Sequence, residues 1–281
     1  MINKVEKNDE TENMQDAIFI DPTPTEKLQP IKKHSPNTTE TKTMAQPMTT
    51  EIEKATQKTQ SVQKHSSSPS KRAQEEARVL RVRCKQLCVA AFFQGRDAVH
   101  SLGFTSAISG EGKSFLARLA AEVMAEDDGT PVTLLECDWE NPTLSTTFNL
   151  PSNRGLADWL NKSSSLTEIR YQVSPNLTVI PAGNSKNNAI GLLRALQQQG
   201  VHGVLTQPNE VLIVDLPSIT TTPYGQLAAS LLDSLILVVR MGVTPENFIN
   251  EANSMLKDLP VEGIIFNQVK SQVPRWLRQI M

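Results

Sequence analysis

The 281-residue sequence predicts an α/β protein: a mostly parallel sheet with helices on both faces, preceded by a disordered N-terminal tail. Three observations predict it. Short, unbroken apolar runs recur between residues 100 and 270, with helical stretches between most of them. A glycine-rich segment stands where the first of these runs meets the next helical pattern. The first 72 residues, by contrast, hold no sustained apolar period. Strands covered on both faces read as apolar runs rather than as alternation, and strands alternating with helices give parallel pairing.

Residues 1–72 are dominated by Thr, Lys, Gln, Ser, Pro, Asn and Glu, as in "HSPNTTETKTMAQPMTT". Such a segment cannot bury enough apolar surface to offset its ordering entropy, so it is expected to be a disordered polar tail. One island, "AIFI" at 17–20, is either a short docking motif or an incidental apolar cluster. Order is expected from residue 73, giving one domain over 73–281. It opens with a helix, "AQEEARVLRVRCKQLCVAAF", apolar at Ala77, Leu80, Cys84, Leu87 and Cys88. Cys84 and Cys88 share a helix face, and with no second ligand pair nearby they read as small buried hydrophobes. A strand follows at 102–107, then the glycines, then the helix "KSFLARLAAEVMAE", ended by Gly129 and Pro131. Further strands are "VTLLEC", "LTVIPA", "VLIVDLP", "SLILVVR" and "EGIIFNQ", with helices at 189–199 and 245–258. About 200 residues suffice for one such core.

Composition excludes several classes. Lys and Arg total 28 against 30 Asp and Glu, so overall charge argues neither for nor against a nucleic-acid partner. The N-terminus has no apolar signal-peptide region, and runs such as "LILVV" are too short to cross a bilayer. Three cysteines give no disulfide framework, and the cytoplasm is the expected compartment.

Residues 107–114 read A-I-S-G-E-G-K-S. Only Ala107 departs from the phosphate-loop pattern G-x-x-x-x-G-K-[ST], and the strand-before, helix-after context is the required one. Such a loop turns backbone N–H groups onto an anion, and the helix that follows adds its positive end. Ser109, Gly110, Glu111, Gly112, Lys113, Ser114 and Phe115 are the expected nucleotide-binding residues, with Lys113 on the β- and γ-phosphates of ATP and Ser114 on Mg²⁺. Carboxylates stand at two strand ends: Glu136 and Asp138 in "VTLLECDWENP", and Asp215 in "VLIVDLP". Ligands of open α/β sheets bind at the carboxyl ends of strands, so these acids can converge on the loop.

With these residues in place, the sequence resembles the bacterial tyrosine kinases of capsule and exopolysaccharide systems, a branch of the P-loop ATPases related to the cell-division-site and partition ATPases. The marks run in order over residues 73–270: Glu75-x-x-Arg78-x-x-Arg81, "TSAISGEGKS", "LLECDWENP", "GLADWL", "VIPAG", "IVDLP" and "GIIFNQ". The resemblance implies a P-loop fold and an Mg-ATP-dependent protein-tyrosine kinase. It implies catalytic roles for Lys113, Glu136, Asp138 and Asp215, Mg²⁺ held by Ser114, Asp138 and Asp215, and Asn267 near the adenine. It also implies a homo-oligomer held through Glu75, Arg78 and Arg81, and a membrane polysaccharide co-polymerase as partner, which places the protein at the inner face of the plasma membrane.

The departures are equally specific. Glu136 stands where the family has Asp, Glu140 where it has Arg, and Ser109 where proline is usual. The sequence ends "QVKSQVPRWLRQIM", without the family's tyrosine cluster, and its two tyrosines are Tyr171 and Tyr224. The acceptor is therefore expected elsewhere. The alternative is a regulatory ATPase, or an ATP-binding partner of the co-polymerase, that does not phosphorylate itself. A partition-type ATPase is disfavoured, because Ile108 occupies the position of that group's extra loop lysine and no strong basic patch supports DNA binding. No nucleic-acid partner is expected.

Overall fold

The computed structural model describes residues 18–19, 71–93, 99–127, 129–185 and 188–268. The expected disordered tail lies outside the described residues except for Ile18–Phe19 and residues 71–72, where α1 starts two residues before the expected boundary at 73; the segment 269–281 also lies outside them. Among the described residues, 18–19 and 75–268 belong to one compact unit.

In chain order the elements are β1 (Ile18–Phe19), α1 (Lys71–Phe93), β2 (Ser101–Ser106), α2 (Lys113–Asp127), β3 (Val132–Glu136), α3 (Leu144–Thr147), α4 (Leu156–Leu160), α5 (Leu166–Ile169), β4 (Tyr171–Ser174), β5 (Leu177–Ile180), α6 (Ala189–Gln199), α7 (Val201–Leu205), β6 (Val211–Asp215), α8 (Gly225–Ala229), β7 (Ser234–Arg240), α9 (Glu246–Leu256) and β8 (Val261–Asn267). They form a sheet ordered β1-β8-β7-β2-β6-β3-β5-β4. All neighbours are parallel except β4 and β5. The α/β class with a mostly parallel sheet is as the apolar runs predict.

The reason lies in the strands. Every residue of β2, β3 and β6 is buried. Successive residues feed opposite cores, as the two-residue period requires. Leu134, Ile213, Ile236 and Val238 pack with α1 and α2, including Cys84, Cys88, Leu116 and Ala120. Leu135, Leu212, Val214 and Leu237 pack on the other face with Leu156, Leu193, Ala228 and Leu256 of α4, α6, α8 and α9. The two α1 cysteines thus lie in an apolar layer. Among the described residues no group of three or more His, Cys, Asp or Glu side chains is placed to hold a metal.

Two edges depart from the sequence reading. The island at 17–20 contributes β1, which pairs parallel with β8 through Ile18↔Ile265 and Phe19↔Phe266. On the other edge β4, not anticipated, runs antiparallel to β5. Its four residues "YQVS" mix polar and apolar positions and are only partly buried, so they give no apolar run to detect.

Register places the site. Glu136 of β3 lies beside Asp215 of β6, and Asp215 pairs with Phe104 of β2. On the far side of β2, Arg240 of β7 lies beside Asn267 of β8. The loop after β2 therefore has carboxylates on one flank, and an arginine and an asparagine on the other.

Candidate functional site

The loop between β2 and α2 turns on two glycines with left-handed backbone, Gly110 at φ 86° and Gly112 at φ 96°. Gly112 is doubly constrained, because a Cβ there would lie 2.2 Å from Asn267 Nδ2. Asn267 is buried and donates from Nδ2 to the carbonyl of Glu111 at 2.8 Å. The asparagine expected near the adenine thus also braces the loop from β8.

Glu111 reaches inward. Its side chain is buried, and Oε2 accepts from the Ile108 N–H at 2.7 Å. Oε1 accepts from the Arg240 N–H at 3.0 Å and from the Thr244 hydroxyl. The carboxylate therefore ties the loop to the turn after β7. Sequence reasoning placed Glu111 in the loop without seeing this latch. No pattern announces it, since Arg240 and Thr244 lie about 130 residues away and two of its three partners, Ile108 and Arg240, offer main-chain N–H groups.

Lys113 opens α2 and is buried. Its Nζ donates to Asp138 Oδ2 at 2.7 Å, to Asp215 Oδ1 at 3.4 Å and to Ser114 Oγ at 3.4 Å. Lysine, hydroxyl and both strand-end aspartates thus meet at one point. Burial by itself lowers the Lys113 pKa, but the fields of Asp215 and Asp138 outweigh it and leave the ammonium more basic than usual. Asp215 responds the other way. Burial pushes its carboxyl up to about 6, against the opposing pull of Lys113 and Ser114. Asp138 takes the short contact with Lys113, and the fully buried Asp215 takes the long one.

Asp138 is also fixed by its own turn, with Oδ1 accepting from the N–H groups of Glu140 and Asn141 at 3.1 and 3.0 Å. Asp215 Oδ2 is buried with no hydrogen-bond partner. A buried orphan oxygen beside a hydroxyl and a second carboxylate suits a hard, oxygen-seeking cation, so Ser114, Asp138 and Asp215 fit Mg²⁺ in the presence of phosphate oxygens.

Glu136 is fully buried and turned to the main chain. Oε1 accepts from the N–H groups of Thr143 and Leu144 at 2.5 and 2.9 Å, and Oε2 from Ala182 at 3.0 Å. Burial raises its pKa despite these three bonds. The extra methylene relative to aspartate spans from β3 to the start of α3 and to the turn after β5. That turn also receives α4. A Cβ at Gly155 would lie 2.2 Å from the Pro181 carbonyl, and Leu156 N–H donates to that carbonyl at 2.8 Å. "GLADWL" and "VIPAG" are thus two sides of one contact.

Around the acids, Trp139 donates from Nε1 to the Ala182 carbonyl and from its backbone N–H to the Tyr224 hydroxyl, at 2.8 and 3.2 Å. Their rings stand 5.8 Å apart. Tyr224 is buried, and burial together with the charge of Asp138 raises its pKa. The Tyr171 hydroxyl on β4 is buried without a partner. Phe115, expected with the loop, points outward at 43% exposure, under the guanidinium of Arg118. Ser109 and Gly110 lie at the exposed rim of the loop.

The α1 triplet lies apart from this cluster. Arg78 pairs with Glu75 at 3.4 Å along the exposed helix surface. Arg81 reaches within the chain, to Glu126 at 3.0 Å and Asp127 at 2.9 Å, the last acids of α2. No helix among the described residues is long and apolar enough to cross a membrane.

Comparison with known proteins agrees with this architecture. No protein-family model matches the sequence. CapB of Staphylococcus aureus is 26% identical over 181 residues, which span 63% of this chain and 79% of CapB. The tyrosine-protein kinase YwqD of Bacillus subtilis is 29% identical over 157 residues, 56% of this chain and 66% of YwqD. The kinase domain of the Escherichia coli tyrosine kinase ETK shares the fold, with a TM-score of 0.61 at 20% identity over 72% of this chain and 78% of that domain. The chain is tyrosine-kinase-like in sequence and P-loop-like in fold, as its motifs imply.

Proposed function

We propose that the protein is an Mg-ATP-dependent P-loop phosphotransferase of the bacterial tyrosine-kinase type, serving capsule or exopolysaccharide synthesis and acting on an acceptor outside its own described residues. The observation that carries this reading is the meeting of Lys113, Ser114, Asp138 and Asp215 at the mouth of a glycine loop. Relatives named as tyrosine-protein kinases supply the reaction class.

In this reading the loop N–H groups and the start of α2 receive the phosphates. Lys113 leaves Asp138 to contact the β- and γ-phosphates, stabilising charge as the phosphoryl group transfers. Its departure frees Asp138 to accept the proton of an incoming hydroxyl. Ser114, Asp138 and Asp215 would hold Mg²⁺, which would neutralise phosphate charge there. Glu136, with both oxygens engaged, ties the start of α3 to the turn after β5. A membrane polysaccharide co-polymerase on the cytoplasmic side and a ring of copies joined through α1 belong to the same proposal, and both follow from the family resemblance.

A second reading, an ATPase whose nucleotide state regulates that partner without phosphotransfer to itself, is favoured by one observation: the hydroxyls of Tyr171 and Tyr224 are both held away from solvent. Labelled ATP incubated with the protein, with and without the cytoplasmic segments of a co-polymerase, separates the two. Phosphoprotein supports the first reading. Free phosphate alone supports the second. Neither product, together with absent nucleotide binding, overturns both.

A further inference from the structure

We propose that Arg240 is a nucleotide ligand, and that its guanidinium holds the purine end of the bound nucleotide. The inference rests on the nucleotide reading above and adds a residue that none of the motifs contains. It begins with sheet order. The loop leaves β2, with β6 and β3 on one side and β7 and β8 on the other. Both carboxylates that meet Lys113 come from the β6 and β3 side. The reacting phosphate must lie toward them, so the nucleoside must lie toward β7 and β8. At the carboxyl ends of those strands stand Arg240 and Asn267, directly paired in register.

Arg240 is held against the loop by its main chain. Its N–H donates to Glu111 Oε1 at 3.0 Å, and Met241 N–H donates to the Asn267 carbonyl at 3.0 Å. Its side chain is half-buried, and Nε is fully buried with no hydrogen-bond acceptor. The nearby carboxylate of Glu111 is occupied by the Ile108 and Arg240 N–H groups and the Thr244 hydroxyl. Arg81 and Arg170, in contrast, both rest on carboxylates. Native chains seldom leave a buried guanidinium donor without an acceptor, which points to an acceptor supplied by a ligand. A guanidinium at this position suits a purine, because its planar cation can stack on the ring face while its N–H groups reach ring nitrogens.

Calorimetric titration of the full chain with ATP, ADP and inorganic tripolyphosphate, each with Mg²⁺, tests the assignment. Arg240→Ala keeps the backbone N–H that Glu111 accepts, so the loop latch survives. The expected result is about a tenfold weaker Kd for both ATP and ADP, with tripolyphosphate unchanged. Arg240→Lys keeps the charge but loses the planar fork, and is expected to lose affinity for the two nucleotides while binding tripolyphosphate normally. It carries the test if the alanine variant does not fold. Wild-type nucleotide affinity in a folded variant overturns the proposal. So does an equal loss for tripolyphosphate, or a loss confined to ATP, since either makes Arg240 a phosphate contact. A wild-type protein that binds no nucleotide overturns the site reading as well, whereas wild-type binding that Arg240→Ala leaves intact overturns the Arg240 assignment alone.

Discussion

The two ends of α2 each gather a basic side chain and two acids, and they put them to opposite use. At the N-terminus Lys113 meets Asp138 and Asp215 with almost no solvent contact, its side chain 6% exposed and theirs 2% and 0%. At the C-terminus Arg81 meets Glu126 and Asp127, which remain 56% and 37% exposed. The buried cluster has lost its hydration, so its charges depend on one another, and burial pushes the Asp215 carboxyl up to about 6. The outer cluster stays wet and weak. Its role is local: two acids at the negative end of a helix are unfavourable, and Arg81 offsets them. The same charge types therefore form a buried, mutually dependent cluster at one end of the helix and an exposed contact between α1 and α2 at the other. Burial makes the difference.

The largest effect expected from breaking this contrast is at Lys113. Lys113→Met removes the charge proposed to contact the phosphates and should weaken ATP binding by about 10- to 100-fold in calorimetry. It also leaves Asp138 and Asp215 buried without their cation, so the melting temperature should fall in the absence of nucleotide. Next comes Glu136→Ala. It orphans three main-chain N–H groups on two turns, and a loss of about 3 kcal/mol is expected, near 10 °C in melting temperature.

The third prediction concerns pH. Asp215 has a folded pKa of about 6 against an ordinary 3.8. The folded chain holds this proton more tightly than the unfolded one. Its contribution to stability is therefore complete below the ordinary value and is lost as pH rises through about 6. The span is on the order of 3 kcal/mol. Denaturant unfolding between pH 4 and 7 should show that decline in the wild type, and Asp215→Asn should remove it.

Much of this was legible in the sequence because it depends on short-range pattern. "GEGKS" after an apolar run specifies the loop, and the strand-end acids at Asp138 and Asp215 follow from chain direction alone. Two features were not legible. The Glu111 latch reaches the distant Arg240 through its main-chain N–H, which carries no side-chain signature, and the equally distant Thr244 through its hydroxyl. Glu136 read as an acid facing the phosphates, whereas its longer side chain reaches the Thr143, Leu144 and Ala182 N–H groups, so direction rather than identity decided its surroundings. The α1 triplet shows the same lesson. Its spacing gave three charges on one helix face, and only the packing of α1 beside α2 shows that Arg81 is already paired within the chain.

The smallest effects are expected at the outer end. Arg81→Ala should cost about 1 kcal/mol or less, a shift of 2–4 °C at most that shrinks in high salt. Arg78→Ala, which loses only an exposed contact with Glu75, should leave the melting temperature unchanged. If α1 joins copies of the chain, Arg78→Ala should instead lower the mass seen by light scattering with Mg-ATP present.

The central claim is that the buried cluster at Lys113 handles phosphate while the chain offers no accessible tyrosine of its own among the described residues. The most direct measurement is mass spectrometry of the purified protein after incubation with Mg-ATP, with released phosphate quantified alongside and Lys113→Met in parallel. The account predicts slow phosphate release that depends on Lys113 and negligible phosphotyrosine at Tyr171 and Tyr224. Stoichiometric phosphotyrosine at either residue that disappears in Lys113→Met would contradict it and make the chain its own substrate.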